Sequence, residues 1–289
     1  MPPHAPDQPI REAPSPLNRG IRTPWRIQIR NVLARLVRYN SSMWSGTYPD
    51  WESAARACRH ISVAGQTRAY QHALNEVLAG RALFERDSLL QHQPVTCWPL
   101  MFALRDLQSH GVAHPTVLDV GGGLGSVFFQ HRTWWTTTAP ITWNVVELPE
   151  IASLGRRLVD DPQLRFFDSL EDAVRDRPPD LVIASGILPM VSDPFALLAS
   201  LASIKARWTF IDRTPVASHG EGHRITRQIV PSNVYDSESP FWFFEQSRLI
   251  QQLTSHFEIA GESTGDFDDP VWVEGHFYRW RGYLLRPRS

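Results

Sequence analysis

The string VLDVGGGLGS, residues 117–126, carries the residue types of a ligand-binding turn. Its apolar run predicts a buried strand ending near Asp119, and glycines follow at alternate positions, Gly121, Gly123 and Gly125. Because glycine accepts positive φ and has no side chain, backbone at such a turn can approach a ligand closely before a helix begins. The spacing D-x-G-x-G-x-G therefore predicts a nucleotide-type site, in which Asp119 organises the loop and reaches a cationic or amino group. A plain structural turn is the alternative, since a glycine-rich loop alone is weak evidence.

Acidic residues stand after the next two predicted strands. Glu147 ends the string WNVVE, 22 residues beyond Gly125, where a carboxylate can accept hydrogen bonds from both hydroxyls of a ribose. Asp168 follows the third predicted strand, where an acid can bind the amino group of adenine. These positions predict an adenosine-containing cofactor. NAD is one candidate, because Ser126 completes the pattern G-x-G-x-x-[GAS] of dinucleotide sites.

The elements that must position these residues are strands of a parallel sheet. From Thr116 onward, short β-type runs alternate with segments long enough for helices, which is the pattern of an α/β fold. The runs lie at residues 116–120, 142–147, 164–167, 181–184 and 208–212, and Ser185 follows the fourth of them. Two closing runs, 257–262 and 276–285, predict an antiparallel end to the sheet.

This order of strands, acids and helices is that of class I S-adenosylmethionine-dependent methyltransferases, whose seven-stranded sheet has an antiparallel last strand. We therefore predict a Rossmann-like α/β domain of that class, with a mostly parallel sheet, an antiparallel last strand and an N-terminal helical cap. S-adenosylmethionine is the predicted cofactor. The residues assigned to it are Asp119, Gly121, Gly122, Gly123, Gly125, Glu147, Leu148, Asp168 and Ser185.

Four segments are predicted along the chain. Residues 1–24 contain seven prolines and little apolar material, so they are predicted to be a disordered tail. Residues 25–43 are predicted to form a basic amphipathic helix, because apolar residues recur at helical spacing with arginines between them. Residues 44–110 are predicted to be the helical cap, and 111–289 the cofactor-binding domain. The stretch 25–39 either docks on its own domain or a partner, or makes peripheral contact with an anionic membrane surface.

Composition excludes several classes of protein. No apolar run approaches the roughly 18 to 20 residues that cross a bilayer, and residues 1–30 lack the apolar core of a secretion signal. The two cysteines, Cys58 and Cys97, form neither a disulfide framework nor a zinc motif, and no metal site is predicted. Residues 1–40 carry a net charge of +5 and the remainder −6, so no nucleic-acid-binding face is predicted. These features predict a cytoplasmic protein, peripheral to the inner face of the membrane if the basic helix binds lipid.

Several strings resemble a family of bacterial methyltransferases that are often encoded beside surface-polysaccharide genes. Besides the glycine loop, WNVVE and the closing RGYLL, the shared strings are FERDSLL at 84–90, WPLMFAL at 98–104, FIDRTP at 210–215 and RITRQIVPSNVYDSESPFWFF at 224–244. The resemblance covers roughly residues 44–286, and the proline-rich first 24 residues depart from it. It implies the methyltransferase fold, S-adenosylmethionine as cofactor, and a small-molecule or glycan acceptor.

The family-specific strings carry the residues predicted to bind the acceptor. These are Arg86, Arg213, Arg224, Gln228, Tyr235 and Trp242. A guanidinium fork can hold a phosphate or carboxylate of an acceptor, and ion pairing within the protein is the alternative. Trp242 can form a wall on which a sugar stacks, whereas the aromatic run Phe241–Phe244 can equally supply a helix with its hydrophobic anchor.

A general base is the remaining chemical requirement. Methyl transfer from a sulfonium is an in-line displacement with a good leaving group, so positioning and exclusion of water supply much of the catalysis. A sugar hydroxyl is a weak acid and benefits from a base. Asp212, predicted at the tip of the fifth strand, is the first candidate, and His223 and His131 are the others. A salt bridge between Asp212 and Arg213 is the structural alternative.

The predicted function is S-adenosylmethionine-dependent O-methylation of a sugar, a glycan precursor or a related small molecule. One alternative is an NAD(P)-dependent oxidoreductase or epimerase of nucleotide sugars. In that fold the loop usually lies near the N-terminus, whereas about 115 residues precede it here, and Lys205, the single lysine, forms no Tyr-x-x-x-Lys dyad. The other alternative is a non-catalytic methyltransferase-like protein that binds a partner. The acceptor and the oligomeric state are left open.

Overall fold

The computed structural model describes residues 43–59, 62–138, 140–217, 222–230, 234–264 and 270–288. The predicted disordered tail, 1–24, lies outside the described residues. So does the predicted basic helix, 25–43, apart from its last residue, and with it the stretch 25–39 for which membrane contact is predicted. In the described part of the chain, no helix is long and apolar enough to span a bilayer.

Within these ranges the chain forms thirteen strands and nine helices. The strands are β1 Trp44–Tyr48, β2 Phe84–Arg86, β3 Leu89–Gln91, β4 Thr116–Val120, β5 Thr142–Val146, β6 Leu164–Phe167, β7 Leu181–Ser185, β8 Trp208–Ala217, β9 Arg224–Val230, β10 Ser237–Glu245, β11 Phe257–Thr264, β12 Val271–Val273 and β13 His276–Pro287. The helices are α1 Trp51–Ala57, α2 Val63–Leu78, α3 Trp98–Ser109, α4 Ser126–Gln130, α5 Arg132–Thr138, α6 Pro149–Leu158, α7 Leu170–Asp176, α8 Pro194–Ser203 and α9 Gln246–His256.

Seven of the strands form the central sheet, in the order β6-β5-β4-β7-β8-β13-β11. Neighbours are parallel from β6 to β8. In contrast, β13 runs antiparallel to both β8 and β11. The mostly parallel sheet with an antiparallel closing strand confirms the predicted fold class.

The central strands are buried on both faces. The strings TVLDV of β4 and LVIAS of β7 are nearly continuous apolar runs, and every residue of β4 is buried. Such runs are typical of parallel strands covered by helices on each side. Val117 packs in the same cluster as Trp143 on one face, and Leu118 in the same cluster as Val182 on the other. The hydrophobic core therefore has two layers with the sheet between them.

Local capping sets where two of the helices begin. Asp193 accepts hydrogen bonds from the backbone N–H groups of Phe195 and Ala196 at the start of α8. Ser62 accepts one from the N–H of Gly65 at the start of α2. Side chains of this kind satisfy backbone donors that the first turn of a helix leaves unpaired.

Strand β8 is longer than predicted and continues to Ala217. Its last residues pair in parallel with β10, which pairs with β9, which in turn pairs with β1. We call these three strands the β1–β9–β10 extension. Because β13, and β10 at the last two residues, supply partners for β8 beyond the edge of β7, Asp212 lies within β8. The prediction that Asp212 ends the strand is wrong. It is the last residue of β8 that pairs with β7, opposite Ser185.

The aromatic run Phe241–Phe244 lies in strand β10, so its interpretation as part of a helix is wrong. Phe241 and Phe243 point to one face, where both contact Trp44 with ring centroids 5.6 and 5.7 Å away. Trp242 and Phe244 stack on the opposite face, 6.2 Å apart. This alternation has the period of two that characterises a strand.

The segment 44–110, predicted as a helical cap, contains strands as well as helices. It forms α1, α2 and α3, together with β1, β2 and β3. β1 belongs to the extension, and β2 and β3 pair as a hairpin. Strands of three residues carry too few alternations for their pattern to be recognised against the surrounding helical periodicity.

Candidate cofactor and acceptor site

The glycine loop joins β4 to α4 with three positive φ angles. They are +72° at Gly121, +60° at Gly123 and +91° at Gly125. A Cβ atom at Gly121 would lie 2.8 Å from the side chain of Ile187, and one at Gly125 would lie 2.7 Å from that of Leu164. Glycine is therefore required at these two positions both by the backbone conformation and by the space available.

Asp119 lies directly beneath this loop and is fully buried. Its Oδ2 accepts a hydrogen bond of 3.1 Å from Nε1 of Trp143. Its Oδ1 is buried and has no hydrogen-bond partner among the described residues. Burial raises the pKa of Asp119 to about 7. A Cβ atom at Gly122 would lie within 2.9 Å of both carboxylate oxygens, so the unsatisfied acceptor is held against the turn.

Glu147 and the glycine loop are brought together at the ends of β5 and β4. Oε1 of Glu147 accepts a hydrogen bond of 3.1 Å from the N–H of Gly123, and Oε2 accepts one of 2.8 Å from the N–H of Leu148. Burial raises the pKa of Glu147. Two backbone donors therefore hold this carboxylate at the sheet edge, in the place predicted for a ribose contact.

Ser185 and Asp168 end neighbouring strands at the same edge of the sheet. Ser185 closes β7, and Ile187 beyond it contacts Gly121. Asp168 follows β6 and forms a 2.9 Å ion pair with Arg156, in which both side chains are nearly half exposed. Asp168 thus lies at the solvent-facing rim, whereas Asp119 and Glu147 lie deeper.

Tyr70, which was not predicted, lines the space in front of the loop, and the predicted Tyr235 lies near Tyr70. The ring of Tyr70, on α2, would be 3.6 Å from a Cβ atom at Gly123. Burial raises its pKa, and the nearby groups Tyr235, Asp87, Glu85 and Glu147 raise it further. Burial likewise raises the pKa of Tyr235 to about 12. The sequence signal for Tyr70 is only its position on a helix preceding the loop, which many residues share.

Glu85 was also missed, although it lies in the string FERDSLL. It is buried and accepts hydrogen bonds from the hydroxyl of Ser126 and, at 2.8 Å, from the N–H of Ser88. Burial raises its pKa. Glu85 therefore joins the β2–β3 hairpin to the first residue of α4. The hairpin turn consists of Asp87 and Ser88, both with positive φ, as in the type I′ turns that join two-residue hairpins.

A β-bulge re-aims the side chains of β8 where it leaves β7. The register with β13 shifts between Arg281, which faces Thr214, and Tyr283, which faces Ile211. Asp212 and Arg213 therefore share the space opposite Gly282. Arg213 has a φ of +53°, which is uncommon for a residue other than glycine and is found at bulges near functional sites.

Gly282 leaves room for the carboxylate of Asp212. A Cβ atom at position 282 would lie 2.9 Å from Oδ1 of Asp212 and 2.4 Å from Oγ of Ser263. Any larger residue there would displace one of these groups. The glycine in RGYLL thus has a specific steric role next to the candidate base.

Arg213 connects the bulge to the β2–β3 hairpin. Its guanidinium makes two hydrogen bonds to the Asp87 carboxylate, of 2.7 and 3.3 Å. It also passes over the end of β7, since a Cβ atom at Gly186 would lie 3.3 Å from its Nη1. Arg213 therefore pairs with Asp87 across the sheet edge.

A cleft of about 680 Å³ opens at this bulge. The residues that line it come from β2, the start of α3, the end of α4, the bulge, β11 and β13. Arg86, Asp212 and Arg213 all line it, so the structure brings these three predicted residues together. Nη2 of Arg86 donates a 3.1 Å hydrogen bond to Oε1 of Gln130, which also lines the cleft.

Tyr235 and four other predicted residues do not line this cleft, and the side chains of those four have partners elsewhere. Nδ1 of His223 accepts a 3.2 Å hydrogen bond from the N–H of Glu245, and burial lowers its pKa. Arg224 donates to the hydroxyl of Thr47. Oε1 of Gln228 accepts from Ser239 at 3.5 Å, and Nε1 of Trp242 donates to the carbonyl of Val191 at 3.0 Å. Three of the four belong to strands of the extension, which the sequence did not predict.

His131 is a structural residue and not a base. Its Nε2 accepts a 2.9 Å hydrogen bond from the N–H of Cys97, and its Nδ1 donates to the carbonyl of Val127, also at 2.9 Å. Burial lowers its pKa to about 4. Both ring nitrogens are thus used by backbone groups in the neutral form. Among the described residues, no group of three or more histidine, cysteine, aspartate or glutamate side chains is arranged to hold a metal ion.

No protein-family model and no curated protein matches this chain. Similar solved structures exist. The N-terminal domain of EvdMO1 with SAH bound is 12% identical, with 80% of this chain and 99% of that chain covered and a TM-score of 0.46. The glycopeptide N-methyltransferase MtfA complexed with sinefungin is 13% identical, with 64% and 93% covered and a TM-score of 0.40. An S-adenosylmethionine-dependent methyltransferase from Clostridium acetobutylicum ATCC 824 is 10% identical, with 77% and 99% covered and a TM-score of 0.42. Likeness at such identity concerns the fold and not the substrate.

Proposed function

We propose that this chain is an S-adenosylmethionine-dependent methyltransferase that methylates an oxygen of a sugar, a glycan precursor or a related small molecule. The observation that carries the proposal is the arrangement at the ends of β4 and β5. There Glu147 accepts hydrogen bonds from two backbone N–H groups beside the glycine loop, and Asp119 keeps an unsatisfied oxygen beneath it.

The residues at this edge fit the cofactor by their chemistry. A carboxylate at the position of Glu147 suits the two hydroxyls of a ribose. The unsatisfied Oδ1 of Asp119 offers an acceptor to an ammonium group, directly or through water. The side-chain-free positions Gly121 and Gly123 let backbone N–H groups and ligand atoms come close. Tyr70 offers an aromatic wall on the opposite side.

The order of the sheet favours this cofactor over a dinucleotide. In dinucleotide-binding folds two parallel mononucleotide-binding halves run through the whole sheet. In this chain β13 is inserted antiparallel between β8 and β11 instead. The second half of a dinucleotide site would need a parallel strand at that position.

The proposed chemistry places the proton acceptor at the bulge of β8. S-adenosylmethionine, when bound, supplies an electrophilic methyl group and leaves as S-adenosylhomocysteine. Asp212 is the proposed base, positioned to take the proton of an acceptor hydroxyl as the new O–CH₃ bond forms. Arg86 and Arg213 orient the acceptor in the same cleft, and Tyr70 and Tyr235 exclude water from the loop. The side chains of His223, Arg224, Gln228 and Trp242 have no part in this scheme.

Calorimetric titration of the purified full-length chain with S-adenosylhomocysteine, NADH and NADP tests the proposal. We expect S-adenosylhomocysteine to bind at micromolar concentration and neither nicotinamide to bind. Glu147→Ala should weaken binding at least about tenfold, because hydrogen bonds to a charged group are lost. Glu150→Ala, an exposed acid in the next helix, is the matched control and should bind like the wild type.

The other outcomes separate the alternatives. Binding of NADH or NADP alone would support the oxidoreductase. Binding of none of the three would favour a non-catalytic protein. Contact of residues 25–39 with a membrane and a role beside surface-polysaccharide genes remain predictions from the sequence.

A further inference from the structure

A second cavity, of about 720 Å³, opens next to the cleft at the bulge. It lies between α3 and α5, and its lining is mostly apolar, including Met101, Leu104, Pro115, Trp134, Trp135 and Ile141. We call it the aromatic cavity. Its volume falls within the roughly 300 to 1,000 Å³ of small-molecule sites.

The cleft and the aromatic cavity share two residues of α3, Trp98 and Phe102. Both side chains are unusually exposed for their size, 64% for Trp98 and 56% for Phe102, and Trp134 beside them is 42% exposed. A contiguous exposed apolar surface of this kind marks a binding site more often than a lone exposed residue does. Trp98 and Phe102 therefore lie where the two spaces adjoin.

The walls of the aromatic cavity are held in place before any ligand arrives. His131 accepts a hydrogen bond from the N–H of Cys97 at the start of α3, and its carbonyl accepts one of 2.8 Å from the N–H of Trp134 in α5. The rings of Trp98 and Trp134 meet edge to face, with centroids 6.3 Å apart. One buried histidine thus anchors both walls. Little conformational entropy is therefore lost in ordering them when a ligand binds.

The two adjoining spaces have opposite chemistry. The cleft presents Arg86, Gln130, Asp212 and Arg281. The aromatic cavity presents mainly hydrocarbon and rings, with Arg105 and Gln108 as its polar residues. A ligand that fills both spaces needs a polar head and an apolar tail.

Resting on the proposed function, we propose that the methyl acceptor is a small amphiphile. Its hydroxyl-bearing head lies in the cleft beside Asp212, and its apolar tail crosses Trp98 and Phe102 into the aromatic cavity. Because the cavity adjoins the cleft at Trp98 and Phe102, a tail of the acceptor itself is favoured over a separate protein partner.

Three probes of matched chemistry test this assignment. These are n-octyl β-D-glucoside below its critical micelle concentration, methyl β-D-glucoside, which has the same head without the tail, and 1-octanol, which has the tail alone. Each is titrated calorimetrically into the full-length chain saturated with S-adenosylhomocysteine. We expect octyl glucoside to bind at least about tenfold more tightly than either other probe, because burial of the tail adds to contacts of the head.

Two variants locate the tail. Trp134→Ala and Met101→Ala, which alter residues that line the aromatic cavity and not the cleft, should each weaken octyl glucoside binding about three- to tenfold and leave methyl glucoside binding unchanged. Trp272→Ala removes a comparably exposed tryptophan, 48% accessible, that lines neither space, and should have no effect. If Trp134→Ala fails to fold, Met101→Ala provides the same comparison from the opposite wall, α3.

Several results would overturn the assignment. Equal binding of octyl and methyl glucoside, or no binding of octyl glucoside, would show that no tail is recognised. If sedimentation gives the mass of a dimer for the wild type and of a monomer for Trp98→Ala, a second copy of the chain covers the cavity. Failure of S-adenosylhomocysteine to bind, with the preference for octyl glucoside intact, would instead contradict the proposed function and leave the amphiphile site standing.

Discussion

The cofactor edge and the acceptor cleft are built in different ways. The edge is dominated by one short string, residues 117–126, and its polar contacts are largely to backbone, as with the N–H groups that bind Glu147. The cleft is assembled from six distant segments, and its polar contacts are between side chains, such as Arg86 with Gln130. Backbone contacts depend little on which side chains surround them, whereas side-chain contacts can change one at a time. The proposed cofactor edge is therefore built largely on backbone, and the proposed acceptor cleft on contacts that can change one side chain at a time.

The largest expected effect is a loss of turnover with no change in the affinity for S-adenosylhomocysteine. Asp212→Asn should lower turnover at least about a hundredfold, because the base is lost, and leave S-adenosylhomocysteine affinity unchanged. The assay uses the first acceptor found in a screen of glycosides and nucleotide sugars. Glu262→Gln, a second carboxylate of the same cleft, is the control. Turnover of Asp212→Asn within a few fold of wild type would remove Asp212 as the base.

The next effect belongs to the cofactor edge and depends on pH. The folded-state pKa of Asp119, about 7, lies above the roughly 3.9 of an aspartate in an unfolded chain. The folded state therefore keeps a proton that the unfolded state releases, and its stability falls as pH rises from about 4 to 7. Relative to Asp119→Asn, the wild type should be more stable at pH 5 than at pH 8 by roughly 2 to 3 kcal/mol.

Urea denaturation of both proteins at the two pH values measures this difference. The comparison with Asp119→Asn removes the contributions of Glu85 and Glu147, whose pKa values are also raised by burial. If wild type and Asp119→Asn differ in stability by the same amount at pH 5 and at pH 8, Asp119 ionises in the folded state as it does in water.

A smaller effect, on affinity for S-adenosylhomocysteine, distinguishes steric crowding at a glycine from the strain of its positive φ. Gly125→Ala should weaken S-adenosylhomocysteine binding about ten- to thirtyfold, because its Cβ would meet Leu164 and the φ of +91° is strained for alanine. Gly111→Ala is the control, since Gly111 has a φ of +87° with no atom near its Cβ position. It should lower stability by about 1 kcal/mol without changing the affinity, as measured by urea denaturation and calorimetry.

The smallest effect concerns the connection between the hairpin and the bulge. Arg213 and Asp87 form a two-pronged ion pair in which Asp87 is more than half exposed, so screening by solvent reduces its energy. A double-mutant cycle with Arg213→Ala and Asp87→Ala should give a coupling free energy of unfolding of about 0.5 to 1 kcal/mol. A coupling near zero would mean that the ion pair contributes nothing measurable to stability.

The sequence predicted the central sheet well for a physical reason. Runs such as VLDV and LVIA are buried on both faces, so their apolar character is required wherever the neighbouring strands lie. Prediction from the hydrophobic pattern failed at β10. There the side chains of Phe241–Phe244 point alternately to two faces, and both faces carry aromatic rings. An alternating pattern with the same residue type on both sides has no visible period, and only the contacts reveal it.

The predicted acceptor residues divide according to topology. Arg86 and Arg213 meet in the cleft because the β2–β3 hairpin crosses toward the bulge. Arg224 and Gln228 belong to β9, and Trp242 to β10, in an extension that has no counterpart in the predicted sheet. A string shared with a family can indicate that a residue matters, but it does not state whether the residue contacts a ligand or another strand.

The amino-acid sequence by itself determined the order of strands along the chain, the glycine loop and the acids that follow β5 and β6. These features depend on residue type and on neighbours within a few positions, such as glycine at a positive φ or an apolar run in a buried strand. The tertiary structure alone decided the bulge at Asp212 and Arg213, the neutral role of His131, and the position of the aromatic cavity beside the cleft at Trp98 and Phe102. Each of these depends on segments far apart in the chain, whose meeting is set by packing and by backbone hydrogen bonds between strands.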